Sequence, residues 1–160
     1  MKLAISAAGG FVLLVFGVLV AAASGLVTGG GGGTQTASAT YSSYQVNNDP
    51  AKDPFPWGEC TWYVWLHAHV TWGGNAYQWL ANAQAQGYAT TAYPVAGAIV
   101  VYAPEGPYDH QFGHVALVDA TTTTTYTISE MNNSVLGGLG IVDQQTKAWP
   151  DQYVEGFIES

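Results

Sequence analysis

PWGECTWYVW, residues 56–65, contains the only cysteine of the 160-residue chain. Cys60 follows a Pro-Trp-Gly turn signal and opens a run, Cys60–Val70, that has neither glycine nor proline. Cys60, Val64 and Ala68 recur at helical spacing, as do Tyr63, Leu66 and Val70; the β-branched and aromatic residues of the same run would also suit a strand. Gly73–Gly74 is the expected end of this element. A lone thiol makes no intramolecular disulfide. Cys60 is therefore a buried small residue, a link to a second chain, a metal ligand or a nucleophile, and the rest of the chain has to choose.

Downstream, NAYQWLANAQAQG reads as a helix capped by Asn75 and stopped by Gly87. Strand signals then take over. Ala96–Ala103 (AGAIVVYA) is a continuous apolar strand, Pro104–Gly113 a loop, and HVALVDA a strand that begins at His114. Thr121–Met131 (TTTTTYTISEM) is turn plus strand, NNSVLGGLG a loop, and YVEGFIE a closing strand. Helices first and an antiparallel run of strands afterwards describe an α+β domain.

The N-terminus differs in kind. No residue from Leu3 to Val27 is charged, and Lys2 precedes the run. A stretch of that length fits a transmembrane anchor with the N-terminus inside; Ala21 and Ala23 offer the alternative of a cleaved signal. Either reading sends the remainder out of the cytoplasm. Thr28–Asn48, with five consecutive glycines and then mostly Ser and Thr, reads as a flexible linker. Asp49–Ser160 remains as one domain of roughly 110–115 residues.

Charge narrows the partners. Three Lys+Arg stand against eleven Asp+Glu, and only Lys52 and Lys147 lie beyond the N-terminal segment. No clustered basic surface is available to track phosphates, so nucleic acid is excluded as a partner. Abundant Trp and Tyr with few charges suit a ligand gripped by stacking and hydrogen bonds, such as a peptide or a sugar. An exported domain with one cysteine has no disulfide framework and relies on its core.

A cysteine attacks as the thiolate. A helix start at Cys60 would favour that anion, a nearby imidazole would take the proton, and a third polar group would orient the imidazole. His114, at the mouth of a strand, is the candidate base. Glu130 and Asn132, two apart in ISEMN, would share one face of a strand and could each accept the imidazole N–H. His67 and His69 fall in the element after the cysteine and read as structural or exposed. His110 and His114 have the spacing of a helical metal pair, but Gly113 and the surrounding loop argue against that helix, and no metal or cofactor is expected.

PWGECTWYVW, GGNAYQWLANAQAQGY, VAGAIVVY, GHVALV and ISEMN follow one another in an order that resembles CHAP domains, the cysteine, histidine-dependent amidohydrolase/peptidases. The resemblance covers nearly all of residues 52–160. It implies a papain-like fold, a Cys60 nucleophile, a His114 base, and Glu130 and Asn132 as orienting groups, with the Cys60 backbone N–H in the oxyanion hole. It further implies an amidase or endopeptidase acting on bacterial peptidoglycan, in a cell envelope or, with such an anchor, in a phage virion. One departure stands out: the family usually has Gln before the nucleophile, and this chain has Glu59. A carboxylate aimed at the thiolate would slow attack, and one aimed elsewhere would matter little.

Overall fold

The computed structural model describes residues 40–41 and 48–160. The apolar segment Leu3–Val27 and most of the linker lie outside the described residues, and among those described no helix is long and apolar enough to cross a membrane. The described chain has two short α-helices, α1 (Cys60–His67) and α2 (Trp79–Ala85), and seven strands. These are β1 (Thr40–Tyr41), β2 (Thr90–Thr91), β3 (Ile99–Tyr102), β4 (His114–Thr121), β5 (Thr125–Met131), β6 (Val142–Ala148) and β7 (Val154–Ile158). They form one sheet in the order β2-β7-β3-β4-β5-β6, with β1 paired to the far end of β4 and every pairing antiparallel. The α+β class follows directly, with helices preceding a sheet that is largely a meander.

Strand alternation splits the core into two layers. Ile99, Val101, Val115, Leu117 and Ile158 face α1 and α2, where they meet Val64, Trp72, Trp79 and Ala83. Val100, Tyr102, Ala116, Val118, Tyr126, Ile128 and Phe157 face the other way. Burying one such side chain stabilises by about 1.5–3 kcal/mol, so both layers contribute to a domain that holds without disulfides.

Four elements differ from the sequence expectation. The helix after Cys60 ends at His67 and does not run on to Gly73. Ala68, Val70 and Trp72 are buried while His69 and Thr71 are exposed, the alternation of extended chain, so the period changes from helical to two within one glycine-free run. The second helix begins as a 3-10 turn, Ala76–Gln78, in which the Gln78 side chain accepts from the Asn75 N–H (2.9 Å). Strand β6 had no expectation at all. Its VDQQTKA sequence is polar because it is an edge strand whose alternate residues face solvent. The sheet also takes in Thr40–Tyr41, inside the stretch read as linker, through Thr40 opposite Thr121 and Tyr41 opposite Ala120.

Candidate active site

The Pro56–Gly58 turn aims the chain into α1. The Glu59 N–H donates to the Pro56 carbonyl (3.3 Å), and the Gly140 N–H donates to the Gly58 carbonyl (2.9 Å), which ties this turn to the β5–β6 loop. Gly58 has φ +89°, a left-handed conformation that a side chain resists, and a Cβ there would crowd Leu139 and Gly140. Cys60 is thus the first residue of α1, where the amide N–H groups have no intrahelical partner. It is 7% exposed.

His114 opens β4 and is 4% exposed. Gly113, with φ +68°, delivers it: a Cβ at that position would stand 2.6 Å from the Tyr102 carbonyl oxygen. By alternation with Val115, His114 belongs to the tyrosine layer of the sheet, while Cys60 belongs to the helix layer. They meet at the end of the sheet, where both line one cavity and Cys60 lies close enough to act on the charge of the imidazole from one side. On the other side His114 Nε2 lies 2.7 Å from Glu130 Oε2. Burial disfavours the imidazolium, but the charge and hydrogen bonds of Cys60 and Glu130 outweigh it and push the pKa up to about 10.

Glu130 is fully buried yet saturated with donors. Besides His114, Asn133 Nδ2 donates to Oε1 at 2.9 Å, and Gln145 Nε2 donates to the same oxygen. Burial alone would raise its pKa; the three donors and the imidazolium charge hold it below the usual carboxylate value. Asp143 stands directly across the sheet from Glu130, and neither of its carboxylate oxygens has a hydrogen-bond partner. Burial first, and the Glu130 carboxylate next, push its pKa up to about 6.

Asn132 goes elsewhere. The strand stops at Met131, and Asn132 takes φ +63°, which asparagine tolerates better than most residues. Its Nδ2 donates to Glu59 Oε2 at 2.7 Å. Glu130 and Asn132 therefore do not share a strand face: Glu130 meets the imidazole, and Asn132 turns to the residue before the cysteine. Of the two adjacent asparagines it is Asn133, read from sequence as part of a loop, that supports Glu130. Asn133, Gln145 and Asp143 gave no signal in sequence, since two lie in an unrecognised edge strand and one in a turn. His67 and His69 lie outside the site, and the His110 ring contacts the Gly106 carbonyl at its Nε2 (3.0 Å).

A cavity of about 460 Å³ opens over these groups. Cys60 and His114 line it, Phe55, Tyr108 and Phe112 wall it, and Glu59 with Asn132 forms part of its rim. The arrangement presents a thiol, an imidazole backed by a carboxylate, and free helix N–H groups around one space. That set can add a sulfur nucleophile to a carbonyl and manage the protons that follow. Among the described residues, no cluster of three or more His, Cys, Asp or Glu is placed to hold a metal.

The CHAP domain family model matches residues 50–132, just over half of the chain. The chain belongs to the CHAP domain family. The N-acetylmuramoyl-L-alanine amidase sle1 of Staphylococcus haemolyticus is 34% identical over 113 residues, covering 66% of this chain and 32% of the relative. Its counterpart in Staphylococcus saprophyticus is 36% identical over 113 residues, again covering 66% and 32%. The crystal structure of an N-acetylmuramoyl-L-alanine amidase from Staphylococcus aureus is similar with a TM-score of 0.55 and 28% identity, covering 71% of this chain and 34% of that one. The chain thus spans about a third of the length of these relatives.

Proposed function

We propose that this chain is a peptidoglycan hydrolase that cleaves an amide bond of the cell-wall peptide through a Cys60 thioester. The observation that carries the reading is a cavity lined by both Cys60 and His114, with the imidazole backed by the buried Glu130, in a CHAP domain whose relatives are named N-acetylmuramoyl-L-alanine amidases. Those names favour the muramoyl–alanine bond over bonds within stem peptides or cross-bridges.

In this mechanism His114 takes the thiol proton and the Cys60 sulfur adds to the amide carbonyl. The negative charge that develops on oxygen meets the backbone N–H of Cys60 at the helix start and the side-chain amide of Asn132 on the rim. The C–N bond then breaks as the imidazolium gives its proton to the leaving amine. Water, deprotonated by His114, attacks the thioester; the carboxylic acid leaves and the thiol is restored. Glu130 remains ionised throughout and holds the imidazole in the tautomer that keeps its other nitrogen for sulfur. The N-terminal apolar segment, by its composition, delivers the domain outside the cytoplasm as a membrane anchor or a cleaved signal, within reach of the wall or, in a phage, on a virion membrane.

A Glu59 charge aimed at the thiol would favour a second reading, a wall-binding module that keeps the fold without the chemistry. Its carboxylate is occupied by Asn132, and that leaves the hydrolase reading ahead. Mass spectrometry of digested peptidoglycan, comparing wild type with Cys60→Ala, tests it. New amine and carboxyl ends should appear only with the wild type, and their identity names the bond. Digestion by Cys60→Ala at the wild-type rate would refute the mechanism.

A further inference from the structure

The hydrogen bond to Glu130 holds His114 by one ring nitrogen. It leaves the ring free to rotate about that contact, and rotation would carry the other nitrogen away from Cys60. The contact that removes this freedom is aromatic. Tyr108, on the Ala103–Gly113 loop, lies parallel to the imidazole with ring centroids 5.3 Å apart and planes 16° apart. Tyr102 stacks on Tyr108 in turn, at 4.1 Å and 23°.

We propose that Tyr108 is a positioning residue for His114: its ring, pinned through its hydroxyl by Lys147, holds the imidazole in the plane that serves both Cys60 and Glu130. This rests on the reading of Cys60 and His114 as a catalytic pair. Lys147 Nζ donates to the Tyr108 hydroxyl at 2.6 Å and lies over the ring, 5.0 Å from its centroid, so one ammonium holds the tyrosine at both hydroxyl and π system. Lys147 reaches across from β6, whose neighbour β5 carries Glu130, so the anchor of the tyrosine is tied to the element that anchors the imidazole. Tyr108 is only 6% exposed and lines the cavity, although its loop has no regular structure. The loop has its own brace, since the Asp109 carboxylate accepts from the Gln111 and Phe112 N–H groups at 2.8 and 2.7 Å.

A phenol face against an imidazolium is also a cation–π contact, which favours the charged ring. The other titratable groups around His114 are Cys60 from α1, Glu130 from β5 with Asp143 of β6 behind it, and Tyr102 from β3. Tyr108→Phe and Tyr108→Leu both release Lys147 from the hydroxyl, so the difference between the two variants reads the stack separately.

The test is a histidine NMR titration of the full chain in wild-type, Tyr108→Phe and Tyr108→Leu forms, with hydrolysis kinetics alongside. Wild type should show a through-space cross-peak between the Tyr108 and His114 ring protons, and Tyr108→Phe, which keeps the ring but loses its hydroxyl anchor, should show it weakened. In Tyr108→Leu the imidazolium should deprotonate about half to one pH unit lower than in wild type. Its kcat should fall about tenfold with KM little changed, as expected when geometry at the reacting groups is lost, and Tyr108→Phe, which keeps the ring face without its anchor, should fall between the two. A folded Tyr108→Leu chain with the wild-type titration midpoint overturns the proposal. So does a wild-type spectrum without the cross-peak, which decides the matter even where Tyr108→Leu does not fold. The NMR signals need no cell-wall substrate, so a wild-type chain that fails to cut peptidoglycan sinks the hydrolase reading and leaves this test intact.

Discussion

Glu130 and Asn132 are two residues apart and end up in opposite kinds of environment. Glu130 is sealed under the sheet end with the imidazole, Asn133 and Gln145 all donating to it. Asn132, past the last strand residue, stands on the cavity rim in a left-handed turn with Glu59 as its partner. The floor of the site is therefore a buried polar network, in which each member's loss leaves others unpaired at low dielectric. The rim is a single hydrogen bond open to solvent on the cavity side. Mutations of equal chemical size should be felt very differently in the two places.

The largest effect belongs to Glu130→Gln. An amide has one acceptor oxygen for donors that now share a carboxylate, and its own N–H₂ would face them. Hydrolysis should fall about 10²–10³-fold, because the imidazole loses the group that fixes its tautomer. Stability should fall by about 2–3 kcal/mol, the range for breaking a buried charge-assisted pair. The pH dependence has a definite sign. The His114 pKa is raised from 6.5 to about 10 in the folded protein, so its contribution is complete below about 6.5 and is lost as pH rises towards 10. The Glu130 pKa is lowered from 4.5, so its contribution is present above that value and is lost as pH falls through the depressed folded value. The pair thus stabilises most between about pH 4.5 and 6.5. Denaturant unfolding across pH should show the acid-side loss in wild type and not in Glu130→Gln; the same acid-side slope in both would break the assignment of Glu130 to the floor.

Asp143 sharpens the contrast from the same side. It is a floor residue that opposes the network, a second carboxylate facing Glu130 with no donor of its own. A carboxyl whose pKa is raised from 3.8 to about 6 costs nothing below 3.8 and destabilises increasingly as pH rises through 6. Asp143→Asn should therefore be neutral at pH 3 and more stable than wild type at pH 7. The gain should be about 1 kcal/mol, since the outer part of β6 reaches solvent and screens part of the repulsion. A variant less stable than wild type at pH 7 would mean that Asp143 supports the network instead of straining it.

Much of this was legible in the sequence, for reasons that also explain what was not. Cys60 and His114 were readable because each sits at a boundary: the cysteine after a turn at the start of a periodic run, the histidine after a glycine at the start of an alternating one. Strands β3 and β4 were readable because they are mostly buried and rich in Val, Ile and Leu, and β5 because Tyr126 and Ile128 alternate with β-branched threonines. Strand β6 was not, because an edge strand written VDQQTKA has the composition of a loop. With it went Gln145, Asp143 and Lys147, the residues through which a neighbouring strand adjusts the site. The Glu130–Asn132 pair was misplaced for a local reason. Period-two reasoning holds only while the strand lasts, and one residue at positive φ after Met131 is enough to send the next side chain to the other side of the cavity.

The smallest effect should be at the rim, and it bears on the one departure from the family pattern. Glu59→Gln keeps an acceptor oxygen for Asn132 Nδ2 and removes only the charge, so the hydrogen bond of 2.7 Å in wild type survives as a neutral one. The carboxylate is already turned towards Asn132, and the cavity screens what remains of its field at the sulfur. Hydrolysis by Glu59→Gln should stay within about threefold of wild type, a difference well under 1 kcal/mol in barrier height. A rise of tenfold or more, measured as kcat on purified peptidoglycan, would show that the Glu59 charge does reach Cys60. The rim would then have to be counted with the floor, as a second electrostatic control on the same thiol.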